Sequence, residues 1–218
     1  MALPVHHILV IEPHPILREG IQAVLAHALV GAIITGSASF PEAITFIESH
    51  PVDLVLTDFR AQGDTVFSLL KHLGTANPQT RCLILSAGDE IQIGYPCIRA
   101  GASGFVAKTA TVADVVGAVQ TVLAGRHQLS EHLSHALMTG HGPVPESSPG
   151  THLTSRELQV FAKIGQGMAV SAIAAKLGLS VRTVEAHREH IKNKLGHQCA
   201  SQVTAAAVRW LDDNSVHI

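Results

Sequence analysis

The sequence predicts an α/β domain, a doubly wound parallel five-stranded sheet, followed by a small all-α helix-turn-helix domain. Three observations carry this. Strand-like and helix-like segments alternate over residues 7–124, the pattern of a parallel sheet with helices on both faces. Residues 139–150, TGHGPVPESSPG, are rich in Gly, Pro and Ser, cannot build a core and read as a partly extended linker. Beyond it, two helical stretches are separated by the tight turn Leu177-Gly178-Leu179-Ser180. The expected boundaries are a first domain over 1–127, a linker region over 128–150 and a second domain over 151–218.

Each element follows from local pattern. HILVI at His7–Ile11 is an apolar run of strand length. Residues 15–29 repeat apolar side chains at helical spacing through Ile16, Leu17, Ile21, Val24, Leu25 and Ala28. A second strand is expected over 31–37 and a helix with proline in its first turn over 41–49. Leu54–Thr57 reads as a short buried strand, 64–73 as a helix, 82–85 and Gly104–Ala107 as strands, and 111–124 as a helix. In such sheets the functional crevice lies at the carboxyl ends of the strands. Glu12, Asp58, Ser86 and Lys108 each follow a predicted strand, so this fold would gather four distant polar residues.

In the second domain, Thr154 and Glu157 have capping-box spacing at a helix start. Gly165 and Gly167 mark the turn after that helix, and Val170–Leu177 forms the next one. Ser180 suits the N-cap of a helix over 181–195, with Val184, Ile191 and Leu195 inward and Gly196 at its end. Residues 201–211 make a last, alanine-rich helix. The 181–195 helix carries Arg182, His187, Arg188, Lys192 and Lys194, a polar and basic face of the kind that enters a DNA major groove.

Composition excludes several classes. With 218 residues, 46% hydrophobic and 15% charged, the chain has the makings of packed cores and not of global disorder. No apolar run reaches the length of a bilayer span, and the start lacks a basic leader. Cys82, Cys97 and Cys199 lack CxxC spacing and read as reduced, buried thiols of a cytoplasmic protein. The net charge of −2 hides an asymmetry: residues 1–150 hold seven Lys+Arg against twelve Asp+Glu, residues 151–218 eight against five. The mildly basic C-terminal part fits contact with phosphates. His132/His135 and His187/His190 have i, i+3 spacing but no third ligand in the sequence, and read as surface or groove-edge residues. No crevice collects a nucleophile, base and orienter beyond the strand-end cluster, so no enzyme is expected.

These segments resemble one known family over nearly the whole chain. ILVIEPHPILREGIQAVL, VDLVLTDFR, LILSA and RAGASGFVAKTA, in that order, are similar to the receiver (flavodoxin-like) domain of NarL/FixJ-type response regulators. The segment LTSRELQVFAKIGQGMAVSAIAAKLGLSVRTVEAHREHIKNKLG resembles the LuxR-type DNA-binding domain. The resemblance implies phosphoryl transfer from a sensor histidine kinase onto Asp58, with Glu12, Ser86 and Lys108 in the pocket and Phe105 as the aromatic switch residue. It also implies Mg²⁺ held by Glu12 and Asp58, the one cofactor expected, and only with phosphorylation.

The departures matter as much. The family has two adjacent acids after the first strand; here they are Glu12-Pro13, and proline offers no ligand. A weak or absent Mg²⁺ site is therefore expected, with Glu12 or Asp89 left to compensate. RAQGD replaces the usual loop after Asp58, and Gly94-Tyr95-Pro96 should break or kink the fourth helix. The favoured expectation is an atypical response regulator with little or no dependence on phosphorylation; the alternative is a conventional one phosphorylated on Asp58.

By resemblance, Glu185, Ala186 and Glu189 face base edges, while Arg182, Thr183, Arg188 and Lys192 face phosphates or flanking bases. Glutamate in a groove can accept from cytosine N4. Ala169 stands where Ser or Thr commonly caps the scaffold helix, with Ser171 the nearest substitute. Paired half-sites require a homodimer, for which Val203, Ala206, Ala207 and Trp210 of the last helix are a candidate surface and the first domain another. A rival of another class is a protein-interaction adaptor with vestigial DNA binding, which would show neither a steep salt slope nor site preference.

Overall fold

The computed structural model describes residues 5–139 and 149–214. They divide into two compact units. The first runs to Ser86 and resumes over Cys97–Glu131; the second takes Ala87–Pro96 and the chain from His132 onward.

The first unit is the predicted five-stranded parallel sheet. Its strands are β1 (His7–Ile11), β2 (Ile33–Ser37), β3 (Leu54–Thr57), β6 (Arg81–Ser86) and β7 (Gly104–Ala107), in the order β2-β1-β3-β6-β7. Helices α1 (Pro15–Ala28), α2 (Phe40–Ser49), α3 (Phe67–Ala76) and α5 (Val112–Leu123) alternate with them. Side chains alternate across the sheet. Ile8, Val10, Leu54, Leu56, Leu83 and Leu85 meet Leu25, Ala118, Val119 and Val122 in one buried cluster. The chain order reverses at β1, which places the ends of β1 and β3 side by side: Ile11 pairs with Thr57, so Glu12 and Asp58 follow adjacent strands.

One prediction fails between β3 and α3. Residues 64–73 do not form a single helix. Arg60–Ala61 (β4) and Asp64–Thr65 (β5) pair as a small antiparallel hairpin, and α3 starts at Phe67. Gln62 and Gly63 both hold positive φ, at 47° and 80°, the backbone of a tight hairpin turn. The departure RAQGD is therefore a folded feature.

In the second unit, Glu90–Gly94 forms a π-helical turn that runs into the short α4 (Tyr95–Arg99), whose residues from Cys97 on belong to the first unit. Pro96 thus sits in the first turn of a new helix, where its missing N–H costs nothing. Two helices enter the stretch expected as linker: α6 (Glu131–Thr139) and α7 (Pro149–His152). Leu133 and Ala136, three residues apart and buried, give α6 an inward face that the linker reading overlooked. Residues 140–148 of that stretch lie outside the described residues.

Four helices complete the unit: α8 (Ser155–Gly165), α9 (Val170–Leu177), α10 (Val181–Lys194) and α11 (Ala200–Asp213). Phe161 of α8 meets Trp210 of α11 edge-on at 5.9 Å between ring centres. Gly165 allows the two helices to approach: a Cβ there would lie 2.5 Å from the Ala207 carbonyl oxygen. Gly165→Ala is expected to cost about 1–3 kcal/mol of stability by overpacking. The check is a lower urea midpoint at unchanged slope.

Candidate functional site

The carboxyl ends of β1, β3 and β7 build a charged pocket. The Lys108 ammonium donates to Glu12 Oε2 and to Asp58 Oδ2, both at 2.7 Å. The Glu12 side chain is only 2% exposed, and those of Lys108 and Asp58 12% each. Glu12 Oε1 accepts from the His14 backbone N–H at 3.0 Å and meets the His14 ring Nδ1 at 2.6 Å. Asp58 Oδ1 accepts from the Phe59 amide at 2.6 Å. All four carboxylate oxygens of the pair are thus engaged within the protein.

The pKa directions agree with this geometry. Burial pushes the Glu12 carboxyl up, but Lys108 and the His14 amide outweigh it and hold Glu12 below its ordinary value. Burial likewise pushes Lys108 down, and the Asp58 charge and hydrogen bond, with help from Glu12, carry it above its ordinary value. Both therefore stay ionised in the ordinary range of pH.

Of the predicted pocket residues, Glu12, Asp58 and Lys108 come into direct contact. Ser86 is buried at the end of β6, and its carbonyl accepts from the Lys108 amide at 2.8 Å. Phe105 is buried within β7. Asp89 belongs to the second unit, where its Oδ1 caps the π-helical turn, accepting from the Ile91 and Gln92 amides at 2.9 Å. Sequence reasoning missed His14 and Arg18. Arg18 donates to the Glu12 carbonyl at 2.7 Å. The sequence signal was a histidine directly after the anomalous Pro13. Cys82 and Cys97 are buried as expected, and burial raises Cys82 to about 12 and Cys97 well above its ordinary value. Cys199 is a correction, since it is exposed at the start of α11 rather than buried.

Fit to Mg²⁺ is poor. The ion needs near-octahedral oxygen coordination with carboxylate help. Pro13 supplies none, and both oxygens of Glu12 already serve His14 and Lys108.

The second candidate site is α10. Gly178 takes the left-handed conformation, φ 63°, that ends α9, and Ser180 Oγ accepts from the Thr183 amide at 3.0 Å. Val184, Ile191 and Leu195 are buried, so the opposite face is presented outward. Arg182, Glu185, Ala186 and Glu189 are exposed, while Thr183, Arg188 and Lys192 are half-buried. Glu185, Arg188, Glu189 and Lys192 rim an open hollow of about 270 Å³ with Ala200 and Val203. Lys192 pairs with Glu189 one turn away. Among the described residues, Arg182 and Arg188 make no ion pair.

Two expectations need correction here. Lys194 is not a free basic group, because its ammonium donates to the buried Glu157 carboxylate at 2.7 Å and ties α10 to α8. The proposed dimer stripe on α11 is largely internal: Val203, Ala207 and Trp210 are buried in their own unit, where they meet α8. A helix packed on a core presents its small residues inward as readily as outward. The capping box does form, with Thr154 Oγ1 accepting from the Glu157 amide and Glu157 accepting from the Thr154 amide. The missing cap at Ala169 is also real, as no side chain caps α9. Ala169→Ser should therefore stabilise the chain by about 1 kcal/mol, seen as a higher thermal midpoint at unchanged DNA affinity.

With this geometry established, similarity to known proteins decides the family. The model for response regulator receiver domains matches residues 8–120, and that for the luxR family of bacterial regulatory proteins matches residues 151–208. The chain belongs to the NarL/FixJ-type response regulators. This response regulator is 33% identical over 195 residues to the Fimbriae Z protein of Salmonella typhimurium, covering 87% of the chain and 90% of that protein. It is 26% identical over 205 residues to the response regulator UvrY of Escherichia coli K12, covering 93% and 94%. Among solved structures it resembles the response regulator ChrA of a heme-sensing two-component system, with a TM-score of 0.51, 26% identity and coverage of 95% and 98%. It shares its fold with RcsB of Salmonella enterica serovar Typhimurium, seen bound to the promoter rprA with the phosphomimetic BeF3−, at a TM-score of 0.74, 19% identity and coverage of 98% and 100%.

Proposed function

We propose that this response regulator binds double-stranded DNA as a cytoplasmic homodimer and controls transcription with little or no dependence on phosphorylation of Asp58. The observation that carries the second half of this reading is the self-neutralised pocket. Lys108 bridges Glu12 and Asp58, and Pro13 removes the second acid that would recruit a metal. A phosphoryl group arriving at Asp58 has to take Lys108 from two buried carboxylates, without metal charge to offset the repulsion. The chain is proposed to need no resident cofactor and to perform no chemistry of its own.

DNA contact is supported by the outward polar face of α10 and by the family. RcsB, which shares the fold, is seen on promoter DNA. Glu185, Ala186 and Glu189 would read base edges, and Arg182, Thr183, Arg188 and Lys192 would hold phosphates or flanking bases.

One observation favours the conventional reading: Asp58 sits at the strand end with Lys108 2.7 Å away, the arrangement that phosphorylation by a histidine kinase would use. Incubation with acetyl phosphate and Mg²⁺, followed by intact-mass measurement, separates the two. The expected result is no stoichiometric adduct. A stoichiometric phospho-adduct that disappears in Asp58→Asn overturns phosphorylation independence and leaves the DNA-binding reading standing.

A further inference from the structure

We propose that Glu157, His187 and His190 form a binding site for a zinc-class divalent metal ion, clamping the DNA-facing helix α10 to the start of α8. In the sequence the two histidines have i, i+3 spacing and no third partner. The fold supplies one. One ligand atom from each of the three residues lies within 4.8 Å of the others. Glu157 is buried, His187 half-buried and His190 exposed, so the cluster opens to solvent on one side, and an ion can enter there.

The donor set is suited to the task. The Glu157 side chain accepts hydrogen bonds from the Thr154 amide, the Thr154 hydroxyl and the Lys194 ammonium, and all three land on Oε2. Among the described residues Oε1 accepts none, which leaves one carboxylate oxygen uncommitted on a side chain that is held in place. Such support from neighbouring hydrogen bonds is what orients metal ligands. Burial pushes the His187 pKa down, against the pull of Glu157. Burial pushes the Glu157 carboxyl up, but the hydrogen bonds from Lys194 and Thr154 outweigh it and hold Glu157 below its ordinary value.

Two imidazoles and one carboxylate favour borderline ions such as Zn²⁺, Co²⁺ or Ni²⁺ over Mg²⁺ or Ca²⁺, which prefer all-oxygen shells. Three protein ligands leave a fourth position for water. Lys194 brings a positive charge beside the ion, which makes this an exchangeable site rather than one essential for folding. His187 and His190 alternate along α10 with Ala186, Arg188 and Glu189, so an ion bound here would hold the DNA-facing stretch of that helix against α8.

The test uses the full chain freed of metal by chelation. Titration with Co²⁺ should give the visible d–d absorption of a nitrogen- and oxygen-ligated ion, saturating at one equivalent and displaced by Zn²⁺. Loss of an outer-shell partner alone costs about 10–100-fold in metal affinity, so His187→Gln and His190→Gln should each weaken binding at least about tenfold. Both side chains are at least partly exposed, so these variants should fold, whereas Glu157 also serves the capping box. His132→Gln combined with His135→Gln should leave the affinity unchanged. Absence of a saturable one-equivalent band overturns the proposal. So does binding that survives His187→Gln and His190→Gln, or that is lost with the His132 and His135 pair instead.

Discussion

Replacing Lys108 with alanine should destabilise the protein by about 3 kcal/mol or more near neutral pH, among the larger effects expected of any substitution outside the hydrophobic cores. The reason is the charge left behind. Glu12 is 2% exposed and Asp58 12%, and Lys108 is the cation that both of them bond. Removing one partner of a buried ion pair strands the other in a medium that solvates it poorly. The pH dependence has a definite sign. Glu12 is held below its ordinary 4.5, so its contribution is present above that value and fades as pH falls through its folded-state value. Lys108 is held above its ordinary 10.5, so its contribution is present below that value and fades as pH rises through its folded-state value. The native protein should therefore lose stability from this pocket on acidification below about pH 4.5. In Lys108→Ala, burial acts on Glu12 without its cation, and mild acid should recover stability by protonating it. Urea unfolding of both proteins across pH reads this difference as opposite slopes.

The second large effect concerns DNA. Combining Arg182→Ala, Arg188→Ala and Lys192→Ala should reduce the slope of log affinity on log salt by about 2.7, roughly 0.9 for each phosphate no longer neutralised. By the same relation, affinity at 0.15 M salt should fall by about a hundredfold. Arg182 is exposed and Arg188 and Lys192 are half-buried beside the inward stripe of Val184 and Ile191, so no fully buried side chain is removed and the fold should survive. Lys192 exchanges its surface pairing with Glu189 for a phosphate at little cost. A salt titration by fluorescence anisotropy on random and selected duplexes measures both quantities. An adaptor with vestigial DNA binding would show a shallow slope that the triple substitution leaves unchanged.

The sequence was most legible where pattern and chemistry coincide. The apolar strand His7–Ile11 ends at Glu12, and Leu54–Thr57 ends at Asp58, so period and strand-end polarity together placed the pocket. Ser180 and Gly178 marked the turn before α10 for a local reason, since a cap and a left-handed residue are needed there. What could not be read depends on contacts distant in sequence or on strained backbone. Lys194 looked like a DNA-facing cation until the fold brought Glu157, 37 residues earlier, to its ammonium. The small residues of α11 gave no sign of which face met α8. Gln62 at φ 47° is a conformation that a non-glycine residue rarely takes, so a hairpin there went unforeseen. His14 was missed because a histidine after a proline has many uses, and only the fold set its ring 2.6 Å from Glu12.

The most direct test compares DNA affinity with and without a phosphodonor. The native protein and Asp58→Asn should each be titrated onto a selected duplex, in the presence and absence of acetyl phosphate and Mg²⁺. A receiver pocket already neutralised by Lys108 predicts the same dissociation constant in all four titrations. A tenfold or greater change with acetyl phosphate in the native protein, absent in Asp58→Asn, would contradict it.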